Sequence, residues 1–408
     1  MDAPTIDRGQ RSRREPFSLI GRPLLAHIDK CLDQGAITVS LPEGGAPTRL
    51  GGRRPGPEAV VILTSWRALW RLVTGGSSGW YEAWAAGEWE SSDPVALFEV
   101  FSLNRHGLAG TGRAHGLSRL LRRLWHRAHR NDRAGARRNI HEHYDLGNEF
   151  YELWLDPTMT YSSAMFDAPG QSLEDAQHIK LKAILDRTAT NPGDRILEIG
   201  CGWGSFAETA AKAGIGVHGI TLSTEQKTYA EARMARQKLD GVEIELIDYR
   251  DVSGTFDGVA SIEMVEAVGE EYWPDYLAAI ARALKTGGRA AIQYIAIDDA
   301  MYEGYARNVD FIQRYIFPGG MLLSESRFRA VAEKVGLVWR DRHAFRLDYA
   351  ETLKRWREAF DAVVAAGKLP DRFDKHFISL WRFYLMYCEG GFRGGGIDVA
   401  QVTLIKEG

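Results

Sequence analysis

A glycine-rich turn in the middle of the chain is the clearest candidate for cofactor binding. Residues 198–204 read Glu-Ile-Gly-Cys-Gly-Trp-Gly, follow a strand-like stretch and open a helical pattern. Glycines at such a turn let a ligand approach the backbone at a helix N-terminus. The spacing Gly200, Gly202, Gly204 departs from the G-x-G-x-x-G of dinucleotide sites, and the acid Glu198 lies on the strand itself. The turn therefore favours a nucleoside that carries an amino acid, as S-adenosylmethionine does.

Two later strand ends supply polar groups that suit the rest of such a cofactor. The second strand ends at Thr221 and Leu222, with Gln226 soon after, so neutral groups stand where dinucleotide folds place an acid for the ribose. After the third strand, Asp248 could accept a hydrogen bond from an adenine amino group, and Tyr249 could stack on the ring. Their placement at successive strand ends predicts one cofactor site.

Alternating strands and helices from about residue 194 onward would bring these strand ends together. Strands are predicted at 195–199, 216–221, 242–247, 256–262 and 289–297, with helices at 206–213, 225–239 and 272–284. Such alternation implies right-handed βαβ crossovers, and ligands then bind at the carboxyl ends of the strands. We therefore predict an α/β fold with a doubly wound, mostly parallel, Rossmann-like sheet.

The chain before this sheet is predicted to contain a small α+β domain, residues 1–104, and a basic segment, residues 105–138. Trp80, Trp84 and Trp89 are interpreted as core packing of the small domain. The basic segment carries many arginines, a single acid, Asp132, and leucines at helical spacing. It could be an amphipathic helix on an anionic membrane surface or a solvated linker between domains. A nucleic-acid arm is not favoured, because no recognised fold accompanies it.

Composition excludes several classes of function. The chain has 408 residues and a net charge of -3, so no global basic field suggests a nucleic-acid partner. The three cysteines, Cys31, Cys201 and Cys388, stand in no metal-ligand or disulfide spacing, and we expect no metal site. The N-terminus lacks the apolar core of a secretory signal, and no apolar run approaches the roughly 20 residues of a membrane span. We expect a cytoplasmic protein that is soluble or peripheral.

Several stretches from residue 139 onward resemble the cyclopropane-fatty-acyl-phospholipid synthase family, which includes the mycolic acid cyclopropane synthases. Besides the glycine-rich turn, they are Asn139 to Asn148, Phe150 to Ser162, Ile220 to Ser223, Asp248 to Arg250, Glu266 to Gly269, Tyr315 to Gly319 and Cys388 to Arg393. The resemblance implies a class I methyltransferase domain over residues 139–408. It also implies a reaction, methylation by S-adenosylmethionine of the double bond of an unsaturated acyl chain, usually in a membrane phospholipid.

The resemblance also bears on partners and on the cofactor residues. It favours membrane contact for the basic segment, with the protein peripheral to the inner face of the membrane, and a homodimer stays open. By carry-over from the family, the cofactor site takes in Tyr144, Tyr161, Ser162, Gly200, Thr221, Leu222, Gln226 and Tyr249. The strand ends themselves add Glu198, Gly202, Gly204 and Asp248.

An alkene is a poor nucleophile, which sets what the rest of the site must do. The methyl donor must lie in line with the π bond in a dry pocket, and the carbocation that forms must be stabilised. Aromatic faces attract a cation without capturing it, and the candidates are Tyr349, Phe311, Tyr315 and Phe317. The proton that leaves then decides between a cyclopropane, a methylene branch and a methylated alkene.

In the cyclopropane-forming relatives, a bicarbonate ion takes this proton and is held by a cysteine, a glutamate, a histidine, a backbone position and a tyrosine. The corresponding positions here are Ser163, Glu266, Gln293, Ile295 and Tyr349. Ser163 and Gln293 can still hydrogen-bond an oxyanion, so bicarbonate binding stays open. Gln293, however, cannot titrate as a histidine does.

Glu263 adds a second carboxylate three residues before Glu266. If the segment is helical, the two share a face, and like charges close together would raise one pKa toward that of a useful base. Alternatively, Glu263 caps the following helix or meets solvent. Two other functions also stay open: methylation of a different small molecule, and lipid binding without catalysis.

Overall fold

The computed structural model describes residues 17–108 and 146–407, which contain two β-sheets. Tyr144 and residues 109–138 of the basic segment lie outside the described residues. No helix within the described ranges is long and apolar enough to cross a membrane.

The N-terminal part is built on a four-stranded sheet with the strand order β2-β1-β3-β4. Strand β1 pairs antiparallel with β2 and parallel with β3. The core contains Trp80 and Trp89, which are buried and stacked with ring centroids 4.3 Å apart, as predicted, while Trp84 is half-buried. The elements are α1 (Ser18–Cys31), β1 (Gln34–Ser40), β2 (Thr48–Gly51), β3 (Arg54–Leu63), α2 (Arg67–Ala85), β4 (Trp89–Glu90) and α3 (Pro94–Leu103).

The second part is built on a seven-stranded sheet, which confirms the predicted α/β fold. Its elements are α4 (Asn148–Glu152), α5 (Leu173–Thr188), β5 (Arg195–Ile199), α6 (Ser205–Lys212), β6 (Gly216–Thr221), α7 (Thr224–Gln237), β7 (Val242–Leu246), β8 (Phe256–Ile262), α8 (Trp273–Ala283), β9 (Leu284–Ile297), α9 (Asp299–Ala306), α10 (Phe311–Tyr315), α11 (Glu325–Lys334), β10 (Leu337–Ala344), α12 (Arg346–Ala365), α13 (Lys375–Gly394) and β11 (Ile397–Lys406). The strand order is β10-β11-β9-β8-β5-β6-β7. Strands β9 to β7 run parallel, and β11 and β10 are antiparallel additions at one edge.

The strand order reverses at β5, whose two neighbours, β6 and β8, are reached by crossovers in opposite directions. In such a sheet, the carboxyl ends of the central strands open a crevice at the reversal point. The segments that follow β5, β6 and β8 all contribute residues to this crevice. The fold therefore places the predicted cofactor turn and Glu263 together at the carboxyl ends of the central strands.

Two glycines let α13 approach α3 and so join the two parts. A Cβ added to Gly390 would lie 2.5 Å from Phe98 Cβ and 2.7 Å from Val95 O, and one added to Gly394 would lie 2.4 Å from Ser102 Cβ. Such distances leave no room for a methyl group, because backbone and Cβ atoms cannot turn aside. Residues of both parts accordingly form one buried cluster.

We expect Gly390→Ala to lower the free energy of unfolding by about 2 kcal/mol, because the added methyl group overpacks the α3–α13 contact. Gly391→Ala is the matched control, since its nearest neighbour would be the flexible Ile397 Cδ1 at 3.3 Å. Chemical denaturation of both variants checks this. Equal stability of the two variants would contradict the close packing.

Candidate active site

A cavity of about 650 Å³ opens at the carboxyl ends of β5, β6 and β8 and extends to the N-terminal part. Its wall includes Glu198, Thr221 and Glu263 at the strand ends, and Leu72 and Trp80 of α2. This volume lies within the range of small-molecule sites. The polar strand ends and an apolar region thus share one continuous space.

The glycine-rich turn forms one wall of the cavity. Gly200, Gly202 and Gly204 all have positive φ, at 81°, 51° and 86°, where a side chain would be strained. Gly200 and Gly202 line the cavity, and nothing lies within 4 Å of a Cβ built on Gly202. Gly204, predicted to bind the cofactor, lies behind the wall because it begins α6 against α7, where its Cβ would be 3.0 Å from Ala230 Cβ.

The end of β6 presents neutral polar groups, as expected. Thr221 Oγ1 donates to Gln226 Oε1 at 2.9 Å, and Ser223 Oγ accepts from the backbone N of Gln226 at 3.2 Å, which begins α7. Thr221, Leu222 and Gln226 all line the cavity. The arrangement fixes hydroxyl and amide groups beside the space without adding a charge.

Asp248 and Tyr249 form the far end of this polar wall. Asp248 Oδ1 accepts a hydrogen bond from the backbone N of Arg250 at 3.0 Å and lies 3.3 Å from its Nε. Tyr249 packs edge-on against Tyr276 with ring centroids 5.4 Å apart. Both Asp248 and Tyr249 line the cavity. A carboxylate acceptor and an aromatic ring therefore stand side by side, as an adenine would need.

Glu198 and Lys180 are buried charges on the same wall. Lys180 Nζ donates to Ser162 Oγ at 2.7 Å. Burial raises the pKa of Glu198 to about 8, although Lys180 opposes this, and burial lowers the pKa of Lys180 to about 8. Glu198 Oε2 has no hydrogen-bond partner among the described residues. A cationic ligand beside this unpaired oxygen would lower the pKa of Glu198 and favour its charged form.

The cavity therefore fits S-adenosylmethionine, which carries an ammonium group, a sulfonium group and an adenine. Glu198 and Asp248 both line the cavity, where they would be suited to the positive charge and to the amino group of the base, respectively. Tyr161 and Ser162 also line the cavity, and the hydroxyl groups of Tyr161 and Tyr384 are 2.8 Å apart. Among the described residues predicted for the cofactor, Gly204 alone is absent from the wall.

Glu263 lies at the centre of a hydrogen-bonded cluster beside the cofactor residues. Its Oε1 accepts from Ser163 N at 2.9 Å and from Gln293 Nε2 at 2.8 Å, and its Oε2 accepts from Tyr349 Oη at 2.8 Å. Its φ of 48° is unusual for a residue other than glycine and costs about 1–2 kcal/mol, which these bonds help to offset. The two alternatives, a helix cap and a solvent-facing side chain, are both wrong.

Ser163 and Gln293 do not line the cavity but lie behind Glu263. Ser163 Oγ donates to Ala164 O at 2.9 Å, so its backbone N, not its hydroxyl, faces the cluster. Gln401 Nε2 donates to Gln293 Oε1 at 3.0 Å, and Arg187 Nε donates to Gln401 Oε1 at 3.1 Å. This chain of bonds turns the Gln293 NH₂ group toward Glu263. Both residues position Glu263.

Glu266 is the second carboxylate of the cluster, and Ile295 N donates to its Oε1. The two carboxylates do not share a helical face, because Glu263 follows Ile262, the last residue of β8, and Glu266 lies in a short 3-10 turn, Val265–Ala267. Both nevertheless line the cavity. Burial, and then the charge of Glu263, raise the pKa of Glu266 to about 8.

Bicarbonate does not fit this cluster. Ser163, Gln293 and Tyr349 already donate to the carboxylate of Glu263, and Ile295 N donates to Glu266. A further anion would lie beside the Glu263 carboxylate with its predicted donors taken, and like charges in a buried site repel. The Glu263 carboxylate therefore occupies the donors of Ser163, Gln293 and Tyr349 that a bicarbonate ion would need.

The aromatic candidates separate into two pairs. Tyr349 and Phe317 line the cavity, and burial raises the pKa of Tyr349 well above its usual value, so its hydroxyl stays protonated. Phe311 packs against Phe383 with ring centroids 4.8 Å apart, and Tyr315 Oη donates to Glu82 Oε1 at 2.9 Å. Neither of these two lines the cavity, because α10 turns them toward the N-terminal part.

Lys180 is a site residue that was not predicted from the sequence. It lies on the buried face of α5 together with Gln177, Leu181 and Ile184, at the spacing of a core stripe. A lysine within an apolar stripe is a recognisable pattern, because an unpaired buried ammonium is costly. That pattern alone would have singled out Lys180 as a site residue.

Comparison with known proteins agrees with this geometry. The model of the mycolic acid cyclopropane synthetase family matches residues 131–402. The chain is 39% identical over 374 residues, 88% of this chain and 86% of the relative, to the tuberculostearic acid methyltransferase UfaA1 of Mycobacterium tuberculosis. It is 36% identical over 269 residues, 65% of this chain and 67% of the relative, to the cyclopropane-fatty-acyl-phospholipid synthase of Escherichia coli.

A solved structure shows the same fold. The crystal structure of the mycolic acid cyclopropane synthase CmaA1 with SAH and CTAB matches with a TM-score of 0.62 and 29% identity, over 66% of this chain and 98% of that one. SAH is the product left when S-adenosylmethionine gives up its methyl group. The chain belongs to the mycolic acid cyclopropane synthetase family and is an S-adenosylmethionine-dependent methyltransferase.

Proposed function

We propose that this enzyme transfers a methyl group to the double bond of an unsaturated fatty acyl chain of a membrane phospholipid through a carbocation. We further propose that Glu263 is the base and that the product is a branched chain. The observation that carries the proposal is the set of three donors, Ser163 N, Gln293 Nε2 and Tyr349 Oη, that fix the Glu263 carboxylate in the cavity.

The apolar part of the cavity supports an acyl chain as substrate. Beyond the cofactor residues, the wall includes the hydrocarbon side chains of Leu72, Phe98, Ile312 and Leu353. Burial in such a wall gains about 0.8 kcal/mol for each methylene group, which suits a long chain. The names of the Mycobacterium and Escherichia relatives, which refer to fatty acids, support the same class of substrate.

When bound, S-adenosylmethionine supplies an electrophilic sulfonium methyl group. Glu198, Thr221 and Asp248 line the cavity and would hold its charged and polar ends. Attack by the π electrons of the alkene on that methyl group would form the new carbon–carbon bond as the methyl–sulfur bond breaks, with its electron pair leaving on sulfur, and a cation would remain on the adjacent carbon. Tyr349 and Phe317 line the cavity, and aromatic rings stabilise a cation without bonding to it.

Glu263 then receives the proton. A C–H bond next to the cationic carbon breaks, its electron pair completes the product, and the proton moves to a carboxylate oxygen of Glu263. Burial raises the pKa of Glu263, and the three donors and Lys180 oppose this rise by favouring the charged form. At neutral pH, Glu266 is the protonated member of the pair, because its pKa is raised to about 8.

We expect a branched product because the base, Glu263, is a side chain of the protein and not a free ion. A tethered carboxylate takes only those protons that come within its reach, for example after a hydride shift has moved the cation to the methyl-bearing carbon. UfaA1, the relative that spans the largest share of this chain among those compared, is named as a methyltransferase, which supports a branch over a ring.

The test is incubation of the purified protein with oleoyl phospholipid and S-adenosylmethionine bearing a CD₃ group. We expect labelled acyl chains with olefinic NMR signals, retaining two deuterium atoms in a methylene branch or three in a methylated alkene. Upfield ring-proton signals would show a cyclopropane and refute the branched product. Cofactor binding without acyl label would refute the reaction and favour a lipid-binding role, and label on another acceptor would favour a different methyltransferase.

Location at the inner face of the membrane and contact of the basic segment with anionic lipid are part of this proposal. They are supported by the acyl substrate, which must be drawn from a bilayer. The homodimer stays a prediction.

A further inference from the structure

We propose that the N-terminal part carries a subsite for the phosphate of the lipid head group, formed by three arginines between α2 and α10. This inference rests on the proposed function, since it concerns the head of the lipid whose acyl chain is methylated.

The subsite is a recess of about 440 Å³ separate from the acyl cavity. Its lining includes Arg67, Arg71 and Arg314, together with Trp70 and Glu82. Guanidinium groups bind phosphate oxygens with paired N–H donors, and they are the preferred partners of phosphate in proteins. The recess is thus large enough, and of the right chemistry, for a phosphodiester.

The local charge is positive. Arg71 Nε lies 2.9 Å from Glu88 Oε2, Arg314 NH1 lies 2.8 Å from Glu82 Oε1, and Arg67 reaches Glu88 Oε1 only at 3.5 Å. Three guanidinium groups therefore face two carboxylates, which leaves one positive charge in excess. Because Arg67 has 57% of its side chain exposed, it is the guanidinium most open to a ligand.

The recess adjoins the acyl cavity through α2. Gly75 lines both spaces, and Gly76 interrupts the helix with φ 58° and ψ -144°. Leu72 and Trp80 of the same helix line the acyl cavity, while Arg67, Trp70 and Arg71 line the recess. A lipid with its phosphate in the recess could therefore pass its chain into the cavity at the interruption in α2.

The surface around the recess suits the head-group region of a bilayer. Leu19, Ile20 and Trp70 are exposed at 75%, 39% and 39%, although they are large and apolar. Phe17 lies 5.8 Å from Trp70, between ring centroids, and also lines the recess. Tryptophan and leucine beside arginine are typical of surfaces that lie at the membrane interface.

The test compares Arg67→Gln and Arg314→Gln with Arg329→Gln, a control on the outer face of α11 whose side chain is 56% exposed. The substrates are dioleoyl phosphatidylglycerol and dioleoylglycerol, each in neutral detergent micelles. We expect the first two variants to raise KM for phosphatidylglycerol by about five- to tenfold with little change in kcat, since one charge-assisted contact is lost. KM for dioleoylglycerol should not change.

Arg67→Lys keeps the charge and should recover part of the affinity, which separates phosphate binding from loss of fold. Free glycerol 3-phosphate should compete only weakly, because it lacks the chain. Equal KM changes for both lipids, or none, would overturn the subsite. If the arginine substitutions raised KM only for an acyl chain carried as a thioester on acyl carrier protein, the ligand of the recess would not be a phospholipid. Absence of acyl methylation in wild type with every substrate would instead refute the proposed function.

Discussion

Glu263→Gln is expected to lower kcat by about 10²- to 10⁴-fold, the range for loss of a general base. The amide keeps the size of the side chain but cannot accept the proton from the carbocation. Gln293 and Ser163 N can still donate to the amide oxygen, so the fold and the affinity for S-adenosylmethionine should change little. Turnover of oleoyl phospholipid and calorimetric cofactor binding measure the two effects separately.

Glu263→Ala provides a second test, because it removes the carboxylate and leaves a space beside its hydrogen-bond donors. Small carboxylates such as formate, and bicarbonate itself, should then restore part of the lost rate by binding to the donors of Ser163, Gln293 and Tyr349. Glu333→Gln, at an exposed position on α11, is the control and should behave as wild type. A Glu263→Gln enzyme with more than a tenth of the wild-type rate would show that another group takes the proton.

Lys180→Met is expected to lower kcat at pH 7 by at least about tenfold, because Glu263 would lose the buried positive charge that favours its ionised form. Without Lys180, the pKa of Glu263 rises, and the acid limb of the pH–rate profile moves to higher pH. In wild type, the rate should also fall as the pH rises through about 8, where Lys180 loses its proton. Glu266 titrates in the same range, so the alkaline limb should be weaker in the variant than in wild type.

Lys180 also makes the stability of the folded state depend on pH. Burial lowers the pKa of Lys180 from 10.5 to about 8, so the folded state binds fewer protons than the unfolded state between these values. The contribution of Lys180 to stability therefore becomes more favourable as the pH rises from about 8 to 10.5. Lys182→Met, on the exposed side of α5, is the matched control. Identical pH–rate profiles for the Lys180 variant and wild type would contradict the role of Lys180.

The sheet and the cofactor wall could be predicted because local pattern determines them. Strands β5, β6 and β8 begin and end where their apolar runs and turn residues indicate. A parallel sheet then brings the carboxyl ends together, which accounts for Glu198, Thr221 and Asp248 in one wall. The prediction for Gly204 is wrong because the sequence does not distinguish a glycine required by a helix contact from one required by a ligand.

The cluster around Glu263 could not be predicted because it depends on side-chain directions. Nothing in the sequence shows that the Ser163 hydroxyl turns to Ala164 O, or that Gln401 orients the amide of Gln293. Phe311 and Tyr315 lie on α10 and pack toward the N-terminal part, whereas Phe317, two residues beyond the end of α10, lines the cavity. Such choices are made by packing between distant parts of the chain, here between α10 and the N-terminal part.

The most direct test of the account is the bicarbonate dependence of the wild-type enzyme. Methylation of oleoyl phospholipid should be measured in degassed buffer free of carbon dioxide, and again after bicarbonate is added. If Glu263 is the base, the two rates will be equal and the acyl chains will carry the label in both. A rate that falls when bicarbonate is removed and returns when it is restored would contradict the role of Glu263.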